Sequence, residues 1–270
     1  NKWNLQGRGV GIFNDYLDML EVYKDELDIV TIPTPIPLHA PMHKACVERE
    51  LAVYLEKPPT LDYEELNRML DVEKSAVKLT NVGFNFIIET ERQRIKKRIV
   101  NNEFGKLLEV HLFGNWPRTD LYFNRSNWAG KLLLNDSLVL DSVMGNAMAH
   151  YVHNVLFWAG VSSQWAWADV ESVKSELYRA NDIQGTDTVF LEIETDSRVD
   201  VRIALTHACG GPHKHYVRLI CENAIIDYFT YDKLVVKWSD GHEEILPIEP
   251  GNLLCENIAH YIRYISGQEN

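Results

Sequence analysis

The stretch that decides the fold is DIVTIPTPIPLHAPMHKACVERELAVYLEKPPT, residues 28–60. It opens with a short apolar run rich in β-branched residues, which is typical of a strand covered on both faces. A predicted helix follows over residues 39–50 with Pro41 in its first turn, and LAVYL predicts a second strand. Strand–helix–strand units of this length pair in parallel with a right-handed crossover, so the stretch predicts an open α/β sheet.

The rest of the chain divides near residue 86. LDYEELNRMLDVEKSA predicts an amphipathic helix beginning near Thr60, and VKLTNVGFNF predicts a further strand. After a basic helix over residues 89–101, alternating runs separated by turn residues predict a mainly antiparallel sheet with one solvated face. One long apolar helix near residues 142–159 interrupts it. The predicted fold class is α/β, with a parallel-sheet domain over residues 1–86 and an α+β domain with an open-faced sheet over residues 87–270.

The composition of the chain limits the kinds of molecule that it is expected to bind. The chain has 270 residues, 46% of them hydrophobic, and a formal net charge of -12. This charge disfavours nucleic acid and anionic membranes, which require a clustered positive surface. No run approaches 18 apolar residues, no leader peptide is predicted, and the four cysteines are scattered without a CxxC pair. We therefore expect a cytoplasmic protein with a small-molecule partner, no nucleic acid and no membrane.

Two turns that follow predicted strands carry candidate binding residues. Ligands of open parallel sheets bind beyond the carboxyl ends of the strands. Glu56 and Lys57 occupy such a position, and the next residue, a proline, holds the Lys57 backbone extended. The alternative is a solvated surface ion pair. Thr34, Pro35 and His39 follow the preceding strand, where His39 is either a helix cap or a ligand contact.

The apolar helix carries a polar stripe. Asn146 and His150 are four residues apart and therefore lie on one face, with His153 and Asn154 one turn beyond. Buried polar groups without partners cost about 1–3 kcal/mol each. The stripe therefore indicates either a cavity or a set of satisfied core side chains.

The turn-rich segment over residues 114–131 combines aromatic residues with arginines. Trp116 and Trp128 suit stacking on a sugar-like ligand, and Arg118 suits hydroxyl or carboxylate contacts, although a packed loop uses the same residue types. A cluster of histidines and one cysteine over residues 207–215 lacks a second pair with zinc-ligand spacing, so we predict no metal site.

Together these residues resemble the Gfo/Idh/MocA oxidoreductases. The resemblance rests on the order of residues 28–66, on the segments VGFNF, FGKLLEVHLFGNW and WAGK, and on the apolar helix. It implies a dinucleotide-binding Rossmann domain followed by an open-faced sheet domain, with NAD or NADP as cofactor. Lys57 is similar to the family's catalytic lysine and His150 to its catalytic histidine. Asn146 falls where many members have an aspartate.

The resemblance also implies which residues meet the cofactor, namely Thr34, Pro35, His39, Glu56 and Lys57, and it implies a homo-oligomer, a dimer or tetramer. Family members begin with a strand and a GxGxxG turn. GRGVG, residues 7–11, has no apolar strand before it and is interpreted as a loop. The predicted Rossmann domain is therefore partial, without its first strand and glycine turn.

The implied activity is hydride transfer between a nicotinamide and a hydroxyl carbon of a sugar, polyol or glycoside. Lys57 would orient the hydroxyl, and His150, with an ordinary imidazole pKa of about 6.5, would take its proton. Asn146 would hold a hydroxyl or water but cannot take up a proton. Trp116, Arg118, Trp128 and His153 would contact the substrate. Two alternatives stay open: a lyase that oxidises a sugar carbon transiently and retains its cofactor, and a non-catalytic nucleotide-binding sensor.

Overall fold

The computed structural model describes residues 5–135, 137–230, 232–249 and 251–268. The chain forms two compact units. One extends to Gly83 and includes the residues from Tyr261 onward, and the other runs from Phe84 to His260. The boundary thus lies three residues before the one drawn from the sequence, and the last residues of the chain group with the amino-terminal unit.

The first unit is an α/β layer with a three-stranded parallel sheet. Its elements are α1 (Tyr16–Tyr23), β1 (Ile29–Ile32), α2 (His39–Val47), β2 (Ala52–Leu55), α3 (Tyr63–Glu73) and β3 (Asn81–Val82). The strand order is β1-β2-β3, with both pairs parallel. Asp62 caps α3 by accepting hydrogen bonds from the amides of Glu64 and Glu65, so the helix begins three residues later than predicted. The predicted parallel α/β sheet is confirmed.

The core of the first unit surrounds β2, which is buried along its whole length. Leu20 of α1, Cys46 of α2 and Met69 of α3 pack against it. Near the carboxyl end of the chain, the Tyr261 hydroxyl accepts from the Val53 amide at 3.1 Å and donates to the Leu79 carbonyl at 2.7 Å. This single buried side chain therefore ties the last helix of the chain to the sheet.

The third strand is shorter than VKLTNVGFNF predicts. Only Asn81–Val82 are strand, and Asn85–Ile88 form a 3-10 turn. Gly83, between them, is buried, and a Cβ there would lie 3.1 Å from the Tyr54 hydroxyl. A side chain at this position would therefore press against the tyrosine, which favours glycine, and the chain leaves the sheet at that point.

The second unit is built on an eight-stranded sheet. Its elements are α4 (Thr90–Val100), β4 (Leu107–Asn115), α5 (Asp120–Phe123), β5 (Leu133–Leu134), β6 (Ser137–Leu138), α6 (Ala149–Ala159), β7 (Val170–Tyr178), β8 (Thr188–Thr195), β9 (Asp200–Thr206), β10 (Lys214–Cys221), β11 (Ala224–Phe229), β12 (Lys233–Trp238), β13 (Glu243–Pro247) and α7 (Leu253–Ile265), which ends in the first unit. The strand order is β13-β12-β11-β10-β4-β9-β8-β7. All neighbours are antiparallel except β4 and β9. The predicted mainly antiparallel sheet is confirmed.

The two faces of this sheet differ. One face packs with α4 and α6 into a core that includes Ile95, Val155 and Trp158. The other face is open: burial alternates residue by residue along β8, and Phe113 and Phe190 are 43% and 47% exposed. None of the described helices is long and apolar enough to cross a bilayer.

The apolar helix predicted over residues 142–159 is interrupted. A π-helical turn covers Val143–Ala147, and α6 begins at Ala149. The Ser142 hydroxyl caps the π-helical turn by accepting from the Gly145 amide at 2.9 Å. Single π-helical turns occur frequently at functional sites. The interruption therefore marks the segment that carries Asn146.

Candidate functional site

The carboxyl edge of the parallel sheet gathers the candidate cofactor residues of the first unit. Thr34 and Pro35 follow β1, while Glu56 and Lys57 follow β2, both half-buried. The Glu56 amide continues the strand pairing by donating to the Ile32 carbonyl at 3.2 Å. The two turns predicted from the sequence are therefore neighbours at one edge, which is where open α/β sheets bind ligands.

His39 joins these two turns. Its ring is 1% exposed, with Nε2 2.8 Å from the Thr34 carbonyl and Nδ1 3.0 and 3.1 Å from the carbonyls of Pro58 and Pro59. The Lys57–Pro58 peptide is cis. Because both ring nitrogens contact backbone carbonyls, we assign His39 a positioning role: it fixes the turns that carry Thr34 and Lys57.

A second buried histidine was missed by the sequence reasoning. His43 lies one turn after His39 on α2, and its Nε2 is 2.8 Å from the Glu73 carboxylate, which also accepts from the Thr80 hydroxyl at 2.9 Å and amide at 2.6 Å. Burial alone would raise the pKa of Glu73, but the hydrogen bonds from His43 and Thr80 hold that pKa below its ordinary value. The network ties α2 to α3 and to the segment before β3.

In the second unit, Asn146 is held by a buried carboxylate. Its Nδ2 donates to Asp141 Oδ1 at 3.0 Å, and Asp141 Oδ2 accepts from the Gly130 amide at 2.6 Å. Asp141 is 4% exposed. It therefore connects the WAGK loop to the π-helical turn and fixes the orientation of the Asn146 amide. The sequence reasoning missed Asp141, although a lone acid inside the apolar run before the helix is a usable signal.

The two candidate histidines of α6 stack on neighbouring phenylalanines. The His150 ring lies 4.4 Å from Phe86 at an interplanar angle of 13°, and the His153 ring lies 4.1 Å from Phe84 at 3°. Burial, together with the nearby positive charge of Arg92, lowers the pKa of His153 to about 4. His153 is therefore uncharged at neutral pH.

The turn-rich loop forms a row of alternating rings and guanidinium groups. Arg118 lies over Trp116 at 4.2 Å and over Tyr122 at 4.0 Å, and Arg125 lies over Tyr122 at 3.6 Å and over Trp128 at 5.1 Å. The structure thus brings the predicted residues Trp116, Arg118 and Trp128 into one stacked row.

The row continues toward α6. The Trp116 ring stacks on His213 at 4.3 Å, His213 on His215 at 4.7 Å, and His215 lies 4.1 Å from Tyr151, the residue after His150. The histidines of residues 207–215 are therefore ring partners of the loop. Within the ranges that the structure describes, no three His, Cys, Asp or Glu side chains are grouped as a metal site would need.

The sequence and the fold of this chain are similar to those of known proteins. Residues 7–84 match the family model GFO_IDH_MocA, described as an oxidoreductase family with an NAD-binding Rossmann fold. Over this span the chain is similar to the Gfo/Idh/MocA oxidoreductases. The family resemblance seen in the sequence is thereby confirmed, and the matched span covers the turns around Thr34 and Lys57.

Curated proteins similar to this chain include inositol 2-dehydrogenases. Inositol 2-dehydrogenase 4 of Saccharopolyspora erythraea is 26% identical over 219 residues, which is 79% of this chain and 57% of that protein. The inositol 2-dehydrogenase of Mycolicibacterium smegmatis is 34% identical over 96 residues, 35% of this chain and 28% of the relative. The chain thus spans little more than half the length of the first of these relatives.

Solved structures of the family share the fold. The inositol dehydrogenase homolog of Azotobacter vinelandii, complexed with NAD+, has a TM-score of 0.81 at 16% identity, covering 98% of this chain and 74% of that one. The WlbA dehydrogenase of Bordetella pertussis, in complex with NADH and UDP-GlcNAcA, has a TM-score of 0.73 at 20% identity, covering 99% and 76%. The α/β class with its mainly antiparallel second sheet agrees with both.

Proposed function

We propose that this chain carries the catalytic and substrate-binding residues of an NAD(P)-dependent dehydrogenase that acts on a hydroxyl carbon of a sugar or polyol. The observation that carries the proposal is the π-helical turn followed by α6, where a buried carboxylate orients Asn146 and an aromatic ring supports His150. Relatives named as inositol 2-dehydrogenases support this substrate class.

The residues of the first unit fit a nicotinamide cofactor. Three parallel strands end at one edge, where Thr34, Pro35, Glu56 and Lys57 would line the cofactor and His39 would hold their turns. The side chains there supply an ammonium group, a carboxylate and a hydroxyl, and this mixture of donors and acceptors suits the polar groups of a dinucleotide. When bound, the cofactor exchanges a hydride with the substrate carbon.

Two side chains would handle the hydroxyl proton. Lys57, at the end of β2, would donate to the hydroxyl oxygen and stabilise negative charge as it develops there. His150 would accept the proton, because an imidazole is the side chain suited to proton transfer near neutral pH. Asn146, its amide group donating to Asp141, would present its carbonyl oxygen as a hydrogen-bond acceptor.

The test is steady-state kinetics with myo-inositol and a panel of hexoses and hexitols, following nicotinamide reduction with NAD and with NADP separately. Lys57→Ala and His150→Gln should each lower kcat/KM by about 10²–10⁴-fold. Lys74→Ala and His242→Gln change residues whose side chains are 77% and 61% exposed, and should leave the rate unchanged. If neither active-site variant differs from its control, the catalytic proposal is wrong.

The open face of the large sheet supports a further part of the proposal, assembly into a homo-oligomer. A shallow groove of about 660 Å³ on this face is lined by aromatic and charged side chains, including Phe113, Phe190, Tyr216, Glu192 and Arg202. Apolar rings exposed together within a polar rim are typical of protein interfaces. Sedimentation equilibrium should give a dimer or tetramer, and Phe190→Glu should shift it to monomer. A monomeric wild type would contradict this part.

A further inference from the structure

The stacked row of the turn-rich loop concentrates positive charge in a protein that is strongly negative overall. Residues 114–131 contain Arg118, Arg125 and Lys131 but only one acid, Asp120. Both guanidinium groups face the same ring, that of Tyr122, at 4.0 and 3.6 Å. The charge of Arg125 is near enough to oppose that of Arg118, and such an arrangement is more stable with an anion beside it.

Neither arginine is neutralised by the protein. Among the described residues, no carboxylate forms an ion pair with Arg118 or Arg125, whereas other half-buried and buried arginines of the unit have such partners. Burial lowers the pKa of Arg118, and the nearby charge of Arg125 lowers it further. Arg118 Nε is buried and has no hydrogen-bond partner in the described structure. A charged group that has no carboxylate partner among the described residues points to an anion supplied by a ligand.

The backbone holds Arg118 in place. Its amide donates to the His207 carbonyl at 3.2 Å, and the Trp116 amide donates to the Thr206 carbonyl at 2.9 Å, so the start of the loop continues the pairing of β4 with β9. His207 Nδ1 in turn contacts the Trp116 carbonyl at 2.8 Å. The guanidinium is also fixed between two rings, so it is oriented before any ligand binds.

We propose that Arg118, with Arg125 beside it, binds a carboxylate or phosphate group of the substrate, so that the substrate of this chain is an acidic sugar or polyol derivative. The inference rests on the proposed dehydrogenase function and narrows its substrate class. A guanidinium also presents its two Nη groups side by side, which is a geometry for bidentate pairing with two anionic oxygens. Arg118 is half-buried, and these terminal groups, rather than the buried Nε, would meet the anion.

The test uses isothermal titration calorimetry with three matched probes: a hexuronate, a hexose 6-phosphate and the corresponding neutral hexose. At least one anionic probe should bind about 10- to 100-fold more tightly than the neutral hexose, as expected for a hydrogen bond to a charged group. The advantage should decrease at high NaCl concentration. Preference for the uronate identifies a carboxylate site, and preference for the phosphate ester identifies a phosphate site.

Arg118→Gln should remove most of the advantage of the anionic probes over the neutral hexose. Arg118→Lys keeps the charge but not the planar pair of donors, and should retain part of that advantage. Arg94→Gln removes the same charge from an exposed position on α4 and should change nothing. If thermal melting shows that Arg118→Gln is not folded, Arg125→Gln and Arg118→Lys replace it in the comparison of anionic with neutral probes. Equal binding of the three probes, or an anionic advantage that survives Arg118→Gln, overturns the proposal.

A parallel assay of nicotinamide reduction separates this inference from the function on which it rests. Hydride transfer to the cofactor from neutral polyols, without preference for acids, would refute the anion site and leave the dehydrogenase intact. Tight, Arg118-dependent binding of an acid without any hydride transfer would refute the dehydrogenase and leave the anion site intact.

Discussion

Replacing Asn146 by aspartate, the residue that many family members have there, is predicted to destabilise this protein in a pH-dependent way. In the structure the Asn146 amide donates to Asp141 Oδ1 at 3.0 Å. Asn146→Asp substitutes an acceptor for this donor and places two carboxylates in contact. The loss of a hydrogen bond to a charged acceptor costs about 1.5–3 kcal/mol, and two unit charges 3 Å apart repel by about 5 kcal/mol at an effective dielectric constant of about 20.

The introduced carboxyl avoids that repulsion by binding a proton, so its pKa in the folded state lies above the unfolded value of about 3.9. A raised folded pKa means that the folded protein holds more protons, and stability is lost as pH rises from the unfolded to the folded pKa. Near pH 4 the protonated group again donates to Asp141, so the deficit relative to wild type should be about 1 kcal/mol. Near pH 8 it should reach roughly 3–5 kcal/mol.

The assay is urea denaturation of wild type and Asn146→Asp at several pH values. Asn146→Ala is the control. It removes the donor without adding a carboxyl group, so its loss of stability relative to wild type should be about the same at pH 4 and pH 8. Combining Asp141→Asn with Asn146→Asp reverses donor and acceptor and should restore most of the stability at pH 8, because an amide at 141 still accepts from the Gly130 backbone. A deficit that is equal at pH 4 and pH 8, or no recovery in the double variant, would refute the reasoning.

Three further outcomes are expected from buried polar groups. Lys96 is fully buried and donates to three backbone carbonyls, those of Phe157 in α6, of Gly160 just after it and of Ala166 in the following loop. Lys96→Met should therefore cost about 3 kcal/mol and lower the melting temperature by about 10 °C, while Lys97→Met, at an exposed neighbour, should have little effect. The pKa of Glu73 is held below its ordinary value, so this carboxylate stabilises the fold above about pH 4.5, and the stabilisation is lost as pH falls below that value. The difference in free energy of unfolding between wild type and Glu73→Gln should therefore become smaller as pH falls. Tyr261→Phe should cost about 1–3 kcal/mol by leaving the Val53 amide and Leu79 carbonyl unpaired, and amide hydrogen exchange at Val53 should accelerate.

Features that arise from local periodicity and turn chemistry were predictable. Residues close together in sequence determine the parallel strands, the turns that follow β1 and β2, and the alternating strands of the second sheet. Boundaries were less predictable where tertiary contacts decide them. The strand beginning at Asn81 ends at Val82, and the next residue, Gly83, lies close to the side chain of Tyr54, which is far away in sequence.

The supporting interactions of the candidate site could not be predicted, because they join residues distant in sequence. His39 reaches Pro58 across 19 residues, and Trp116 stacks on His213 from a different strand. Sequence identified the arginine and the tryptophans of the loop but could not show that they form one row. By contrast, Asp141 lies only five residues before Asn146, and its signal, a lone acid in an apolar run, was present in the sequence but not used.

The two histidines of α6 with different predicted roles also have surroundings of the same kind. His150 and His153 lie on the same helix, three residues apart, and each stacks on a phenylalanine. Burial and the charge of Arg92 lower the pKa of His153 to about 4. A group with so low a pKa is a weak base near neutral pH, because proton acceptance is most effective when the pKa lies near the working pH. The environment of His153 therefore suits a neutral hydrogen-bonding or packing role, and the role of base in the proposed reaction falls to His150.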